Sequence, residues 1–154
     1  MTVSLFGHRI LQNSVATERA LFSEINNLLS KEEFVDFLIG RDGDFDLLAA
    51  SVIRRVIQKT DRENAALTLV LPFPRAEISK NEQAYSSYYD HIEICDAAET
   101  AYYKAAFWIR NQDMINRSDL VIVCLEHSGG GTARAANYAK SCKIPVLNLF
   151  EIPS

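Results

Sequence analysis

The chain has 154 residues, of which 48% are hydrophobic and 23% charged, and a net charge of −4. That length suits one domain, able to bury roughly two-thirds of its unfolded surface without disulfides or metals, with no room inside it for a second catalytic domain. No run approaches the roughly 20 apolar residues of a membrane helix. Lys and Arg are scattered rather than clustered, which argues against nucleic acid as a partner.

The first strand candidate, Val3 to Phe6, follows a start without the basic and then apolar pattern of a secretory signal. Cys95, Cys124 and Cys142 are an odd, scattered set that fits reduced thiols, so a cytoplasmic setting is expected. The strand ends on Gly7-His8-Arg9, a small residue followed by two side chains able to donate hydrogen bonds to an anion. Leu21, Phe22, Ile25, Leu28 and Leu29 then repeat at helical spacing and predict an amphipathic helix.

A second strand, Phe34 to Ile39, runs into Gly40-Arg41-Asp42-Gly43-Asp44-Phe45-Asp46, whose glycines permit close approach and whose carboxylates can accept hydrogen bonds from ribose hydroxyls. The alternating aspartates do not make a calcium loop, because the distal glutamate is replaced by Ile53. Leu48, Val52, Ile53 and Val56 form one face of the helix that follows. The third strand, Leu67 to Leu71, is stopped by Pro72 and Pro74. Residues 72–90, with Tyr85, Tyr88 and Tyr89, are expected as a long connection covering a site or a dimer partner.

Ile92 to Cys95 is the fourth strand, and a helix is predicted over about Thr100 to Asn116. Its Phe107 and Trp108 are assigned to core or dimer packing rather than to base stacking. A fifth strand, Leu120 to Leu125, leads through Glu126-His127-Ser128 into Gly129-Gly130-Gly131-Thr132, which opens a helix over about Thr132 to Ser141. Val146 to Leu149 is the sixth strand. Apolar strands alternating with helices predict an α/β, Rossmann-like three-layer sandwich with a mostly parallel sheet, as one domain over residues 1–154.

Ligands of such sheets bind outside the carboxyl ends of the strands, where strand order reverses. The glycine turn is the strongest such end, because bare amides at a helix start make an anion site. Ser128, Gly129, Gly130, Gly131 and Thr132 are therefore expected to hold a phosphate. Gly7, His8, Arg9, Gly40, Arg41, Asp42, Gly43, Asp44 and Asp46 are expected to complete a nucleotide site. Neither the Gly-x-Gly-x-x-Gly fingerprint nor the phosphate loop ending in Gly-Lys-Ser/Thr is present. His8, His91 and His127 lack metal-ligand spacing, so no metal and no required cofactor are expected.

Arg110, Met114 and Asp119, with Gly129-Gly130-Gly131-Thr132, resemble the Arg-x-x-x-Met segment, strand-opening aspartate and Gly-Gly-x-Gly-Thr turn of the SLOG superfamily of Rossmann-like nucleotide-binding proteins. That superfamily includes the Lonely Guy phosphoribohydrolases, often described as lysine decarboxylase-like. The Gly7-His8-Arg9 and Gly40 to Asp46 segments are similar to those of a small bacterial branch. The resemblance implies a homodimer and a bound nucleoside phosphate or NAD-related nucleotide, with Arg110 neutralising phosphate.

It also implies an alternative, N-glycosidic cleavage of a nucleoside 5′-monophosphate. The family's glutamate after the turn is absent here, where Ala133, Arg134, Ala135 and Ala136 follow Thr132. A carboxylate would then come from another wall: Glu126, Asp42, Asp44 or Asp46, with Arg110 and Glu126 as the catalytic candidates. A DNA-handling role is the third reading, since DNA processing proteins share the superfamily fold.

Overall fold

The computed structural model describes residues 1–60 and 63–151, so the last three residues of the expected domain lie outside the described ones. The strands are β1 (Thr2–Gly7), β2 (Val35–Ile39), β3 (Ala65–Leu71), β4 (His91–Ile94), β5 (Leu120–Cys124) and β6 (Val146–Asn148). The helices are α1 (Ser14–Lys31), α2 (Asp44–Thr60), α3 (Ala76–Lys80), α4 (Glu82–Tyr88), α5 (Tyr103–Asn116) and α6 (Gly130–Ser141). Six strands form one sheet in the order β4-β3-β2-β1-β5-β6, and every neighbouring pair is parallel.

The strand side chains alternate between two cores, as a pleat covered on both faces requires. Val3, Leu5, Phe37, Ile39, Leu67, Leu69 and Ile122 pack with Leu21, Ile25, Val52 and Ile53 of α1 and α2. Phe6, Leu38, Val70, Val121 and Val123 face the other way, onto Met114, Ile115, Ala135, Ala136 and Ala139 of α5 and α6. This is the expected α/β sandwich, Rossmann-like in its layers. Cys124 lies in the first core, where burial pushes its thiol up to about 11, so it behaves as a small hydrophobe. No helix among the described residues is long and apolar enough to cross a membrane.

Topology places the site. The chain steps from β1 outward to β4 with its crossover helices on one face, then returns over the other face through α5 to pair β5 against the free edge of β1. Strand order therefore reverses between β1 and β5, whose ends are in register at Gly7 and Cys124. At that junction a crevice opens at the carboxyl edge.

Some sequence expectations shift. Phe22 is 39% exposed, because its neighbour Leu21 takes the buried position and successive helical residues point about 100° apart. Phe34 precedes β2 and is exposed. The long connection holds two short helices, α3 and α4, and Ile78 and Tyr89 are buried in the core of the α1–α2 face. The tyrosine-rich segment thus packs along α2 instead of covering the crevice. Helix α6 begins at Gly130, earlier than expected, so the glycines form its first turn.

Candidate functional site

A cleft of about 600 Å³ opens over the junction of β1 and β5. It is lined by the end of β1 and the loop after it, the turn after β2 with the start of α2, helix α5, His127 of the loop after β5 and the start of α6. The α6 wall is Gly130, Gly131 and Thr132. Gly129 takes the N-cap position and no side chain caps the helix, so the first amides of α6 remain for an anion, and the helix dipole adds to their attraction. Gly130 has a φ of +86° and a Cβ at Gly131 would meet nothing within 4 Å. Glycine at Gly130 is thus dictated by the backbone, and at Gly131 it leaves open space.

Beside this turn, the His8 and His127 rings stack with centroids 3.8 Å apart and planes 14° from parallel. His8 Nε2 accepts the Glu126 amide hydrogen at 3.1 Å, and His127 Nδ1 accepts that of Gly129 at 3.3 Å. Both accepting nitrogens are therefore unprotonated in this arrangement. Burial, then the neighbouring His127, hold the His8 pKa below its ordinary value, with Glu126 opposing. The pair joins the end of β1 to the loop before α6.

The opposite wall centres on Asp42. It accepts hydrogen bonds from Arg75 and from Arg110 Nη2 at 3.0 Å, while Arg110 Nη1 donates to the Val70 carbonyl at 2.8 Å. Arg110 is buried. Desolvation pushes the Asp42 carboxyl upward, but the hydrogen bonds and charges of Arg75 and Arg110 outweigh it and hold the pKa below its ordinary value. Asp46 Oδ2 accepts the Asp42 amide hydrogen at 3.0 Å, and Asp46 lines the cleft. Desolvation is the main cause that pushes its carboxyl up to about 6, against the pull of Asp42's backbone hydrogen bond and of Arg110. Gly40 sits where a Cβ would lie 2.9 Å from Arg110 Nη1 and 3.0 Å from Asp46 Oδ2.

Of the expected site residues, Gly7, His8, Arg9, Gly40, Asp42, Gly43, Asp46, Arg110, Gly130, Gly131 and Thr132 meet at this cleft. Others stand elsewhere. Ser128 and Gly129 are exposed beside the cleft without lining it. Arg41 donates to Tyr85 Oη at 2.9 Å and borders a separate hollow against α4. Asp44 accepts the Leu11 amide hydrogen at 3.1 Å. Glu126, expected as a catalytic carboxylate, does not line the cleft. Its two oxygens accept the Gln12 amide hydrogen at 2.8 and 3.0 Å and the Asn13 amide hydrogen at 2.9 Å. It thus clamps the segment entering α1.

Gly7 and Gly43 have a packing role besides lining the cleft. A Cβ on Gly7 would lie 2.1 Å from Phe45 Cγ, and one on Gly43 would lie 2.4 Å from Arg9 Cα. Gly7→Ala is expected to cost roughly 1–3 kcal/mol or more by overpacking, read as a lower urea midpoint. A midpoint unchanged from wild type would show that α2 can move away from β1 freely.

The sequence reading missed Gln12, Asn111 and the role of Phe107, all of which line the cleft, and Arg75, which pairs with Asp42. Position on helix α5, one turn before Arg110, was the available signal for Phe107. Trp108 is half-buried against α6, outside the core: its ring meets Tyr138 edge-on at 5.6 Å and lies under the Arg134 guanidinium at 3.9 Å.

No family model matches the sequence, and no curated protein matches it. A solved structure does resemble it in fold. DNA processing protein A from Helicobacter pylori, described for its single-stranded DNA binding mode, is similar with a TM-score of 0.64 at 14% identity. The likeness covers 95% of this chain and 63% of that one. At such identity the resemblance concerns the fold. The expectation against nucleic acid gains no support from a neighbour of that description.

Proposed function

We propose that the protein binds a nucleoside phosphate or related nucleotide in the cleft at the carboxyl edge of the sheet, with the phosphate on the first turn of α6. The observation that carries this reading is the uncapped start of α6, which forms one wall of the cleft where strand order reverses between β1 and β5. Arg110 supports the reading less directly than expected. Its guanidinium holds Asp42 and the Val70 carbonyl, so it shapes the wall and leaves the α6 amides and Arg9 to meet the phosphate.

Thermal shift and calorimetry with a nucleotide panel test it. A ligand at about 100 times its dissociation constant should add about 2.7 kcal/mol of stability. Absence of binding by every nucleotide removes the reading, and so does a Gly131→Asp variant that binds a nucleotide as well as the wild type does. A hydrolytic extension, cleavage of the N-glycosidic bond, rests on Asp46, the cleft-lining carboxyl that burial brings near neutral pH.

The second reading is single-stranded DNA, favoured by the fold likeness to a protein described for that binding. The net charge of −4 weakens it, because phosphate neutralisation dominates such affinity. In the same assays an oligonucleotide that binds with strong salt dependence, while mononucleotides do not, would favour this second reading.

A further inference from the structure

Across the carboxyl edge of the sheet the chemistry changes in strand order. Over β5 stand the bare amides and glycines of α6, over β1 the histidine pair and Arg9, and over β2 the carboxyls of Asp42 and Asp46. Beyond β3 stand three aromatic rings. Phe73 follows β3, and Tyr103 and Phe107 occupy the first turns of α5. Phe73 lies 5.1 Å from Tyr103 and 5.5 Å from Phe107, and Tyr103 lies 5.4 Å from Phe107, centroid to centroid. Phe107 lines the same cleft as Gly130 to Thr132.

The core takes up these rings only in part: Phe73 packs half-buried against a small cluster, and Phe107 is half-buried outside it. Beneath them the buried residues are small, Cys95, Ala98 and Ala106, while Tyr103 is 68% exposed. They are nevertheless held in place. The Arg75 guanidinium lies 5.6 Å from the Phe73 ring and that of Arg110 lies 5.8 Å from Phe107, and Asp42 holds both arginines. The aromatic cluster is thus joined to the carboxyl wall by fixed charges, a preorganised surface whose order adds little further entropic cost on binding.

We propose that Phe107, backed by Phe73 and Tyr103, is a nucleobase subsite, so that a mononucleotide lies across the sheet edge with phosphate over β5, pentose over β1 and β2, and base over β3. This rests on the reading of the cleft as a nucleotide site. From β5 to β3 is three strand spacings, about 14 Å, which suits the phosphate, pentose and base of one nucleotide laid end to end. Aromatic rings offer a π-face to any base and a larger one-sided contact to a purine. The arrangement therefore favours purine over pyrimidine mononucleotides.

Calorimetry with adenosine 5′-monophosphate, ribose 5-phosphate and inorganic phosphate tests the assignment. The full chain should bind adenosine 5′-monophosphate at least about tenfold tighter than ribose 5-phosphate, the scale of one stacked base. Phe107→Ala should erase most of that ratio while ribose 5-phosphate affinity stays within about twofold, and Phe107→Tyr should preserve it. Tyr103→Ala, at an exposed position, should lower the ratio without disturbing the fold, and it carries the test if Phe107→Ala does not fold.

Equal affinity for adenosine 5′-monophosphate and ribose 5-phosphate overturns the base subsite and leaves the phosphate site standing. So does a ratio unchanged by both alanine variants. Failure of all three ligands to bind overturns the subsite, and failure of the whole nucleotide panel overturns the reading on which it rests. A wild-type dimer that Tyr103→Ala dissociates, seen by light scattering, also overturns the subsite, since the rings would then be covered by a second copy.

Discussion

Arg110→Met is expected to destabilise the protein by about 3–5 kcal/mol, the usual cost of removing one partner from a buried ion pair. The substitution takes away the hydrogen bond to Val70 O and one of the two cations that hold Asp42. Asp42 has a pKa held below its ordinary value, so its pairing stabilises the fold above the ordinary carboxyl range and is lost as pH falls through the lowered value. Without Arg110 that value rises. The gap between wild type and variant should therefore be widest at neutral pH and narrow below about pH 4. Urea denaturation at pH 7 and pH 3.5 measures both, and a gap under about 1 kcal/mol at pH 7 would show that the pair is not structural. Activity lost in an Arg110 variant must accordingly be corrected for the folded fraction before Arg110 is given a part in chemistry.

Asp46→Asn is expected to do the opposite, stabilising the protein at pH 8 by roughly 1–3 kcal/mol. Burial raises the Asp46 pKa from 3.8 to about 6, and one pKa unit corresponds to about 1.4 kcal/mol. A raised carboxyl pKa means that the folded state holds the proton more tightly. Its contribution to stability is full below the unfolded value and falls away as pH rises from about 4 to about 6. Asparagine carries no charge to desolvate, and its side-chain oxygen can still accept the Asp42 amide hydrogen. The gain should vanish at pH 4, where wild-type Asp46 is largely protonated. A variant no more stable at pH 8 than wild type would sink the account of a desolvated carboxyl. If the bound nucleotide is hydrolysed, the same variant should retain binding and lose release of free base, the exchange of stability for function seen where a buried group serves chemistry.

Much of the fold was legible because it is written in local period. The apolar runs at Leu67 to Leu71 and Leu120 to Leu125 lie at or within one residue of β3 and β5, since strands covered on both faces need continuous apolar sequence. The glycine turn between a strand and a helix was equally legible, because three successive glycines leave the backbone free to turn. Helix α6 starting at Gly130 was not, as glycine's low helix propensity concealed a first turn that leads into the buried Thr132, Ala135 and Ala136.

The roles of the carboxylates were beyond such patterns. Asp42, Asp44, Asp46 and Glu126 look alike in sequence, yet Glu126 clamps Gln12 and Asn13, Asp44 holds Leu11, Asp42 pairs with two arginines, and Asp46 is left for the cleft. Their partners lie between 33 and 114 residues away, apart from the backbone of Asp42 beside Asp46. Phe107 shows the same limit, since helical period says which way a ring points but not that β3 brings Phe73 to meet it.

Composition and the alternation of strands and helices were enough to determine an α/β domain with a glycine turn between a strand and a helix, because hydrophobic period and backbone freedom are properties of neighbours in the chain. Which charged side chains are consumed in holding the loops, and which remain to face a ligand, depended on the return of α5 across the sheet to set β5 beside β1. That crossover brings distant segments within hydrogen-bonding reach, and at such range burial and charge pairing, rather than residue type, set the state of each carboxyl.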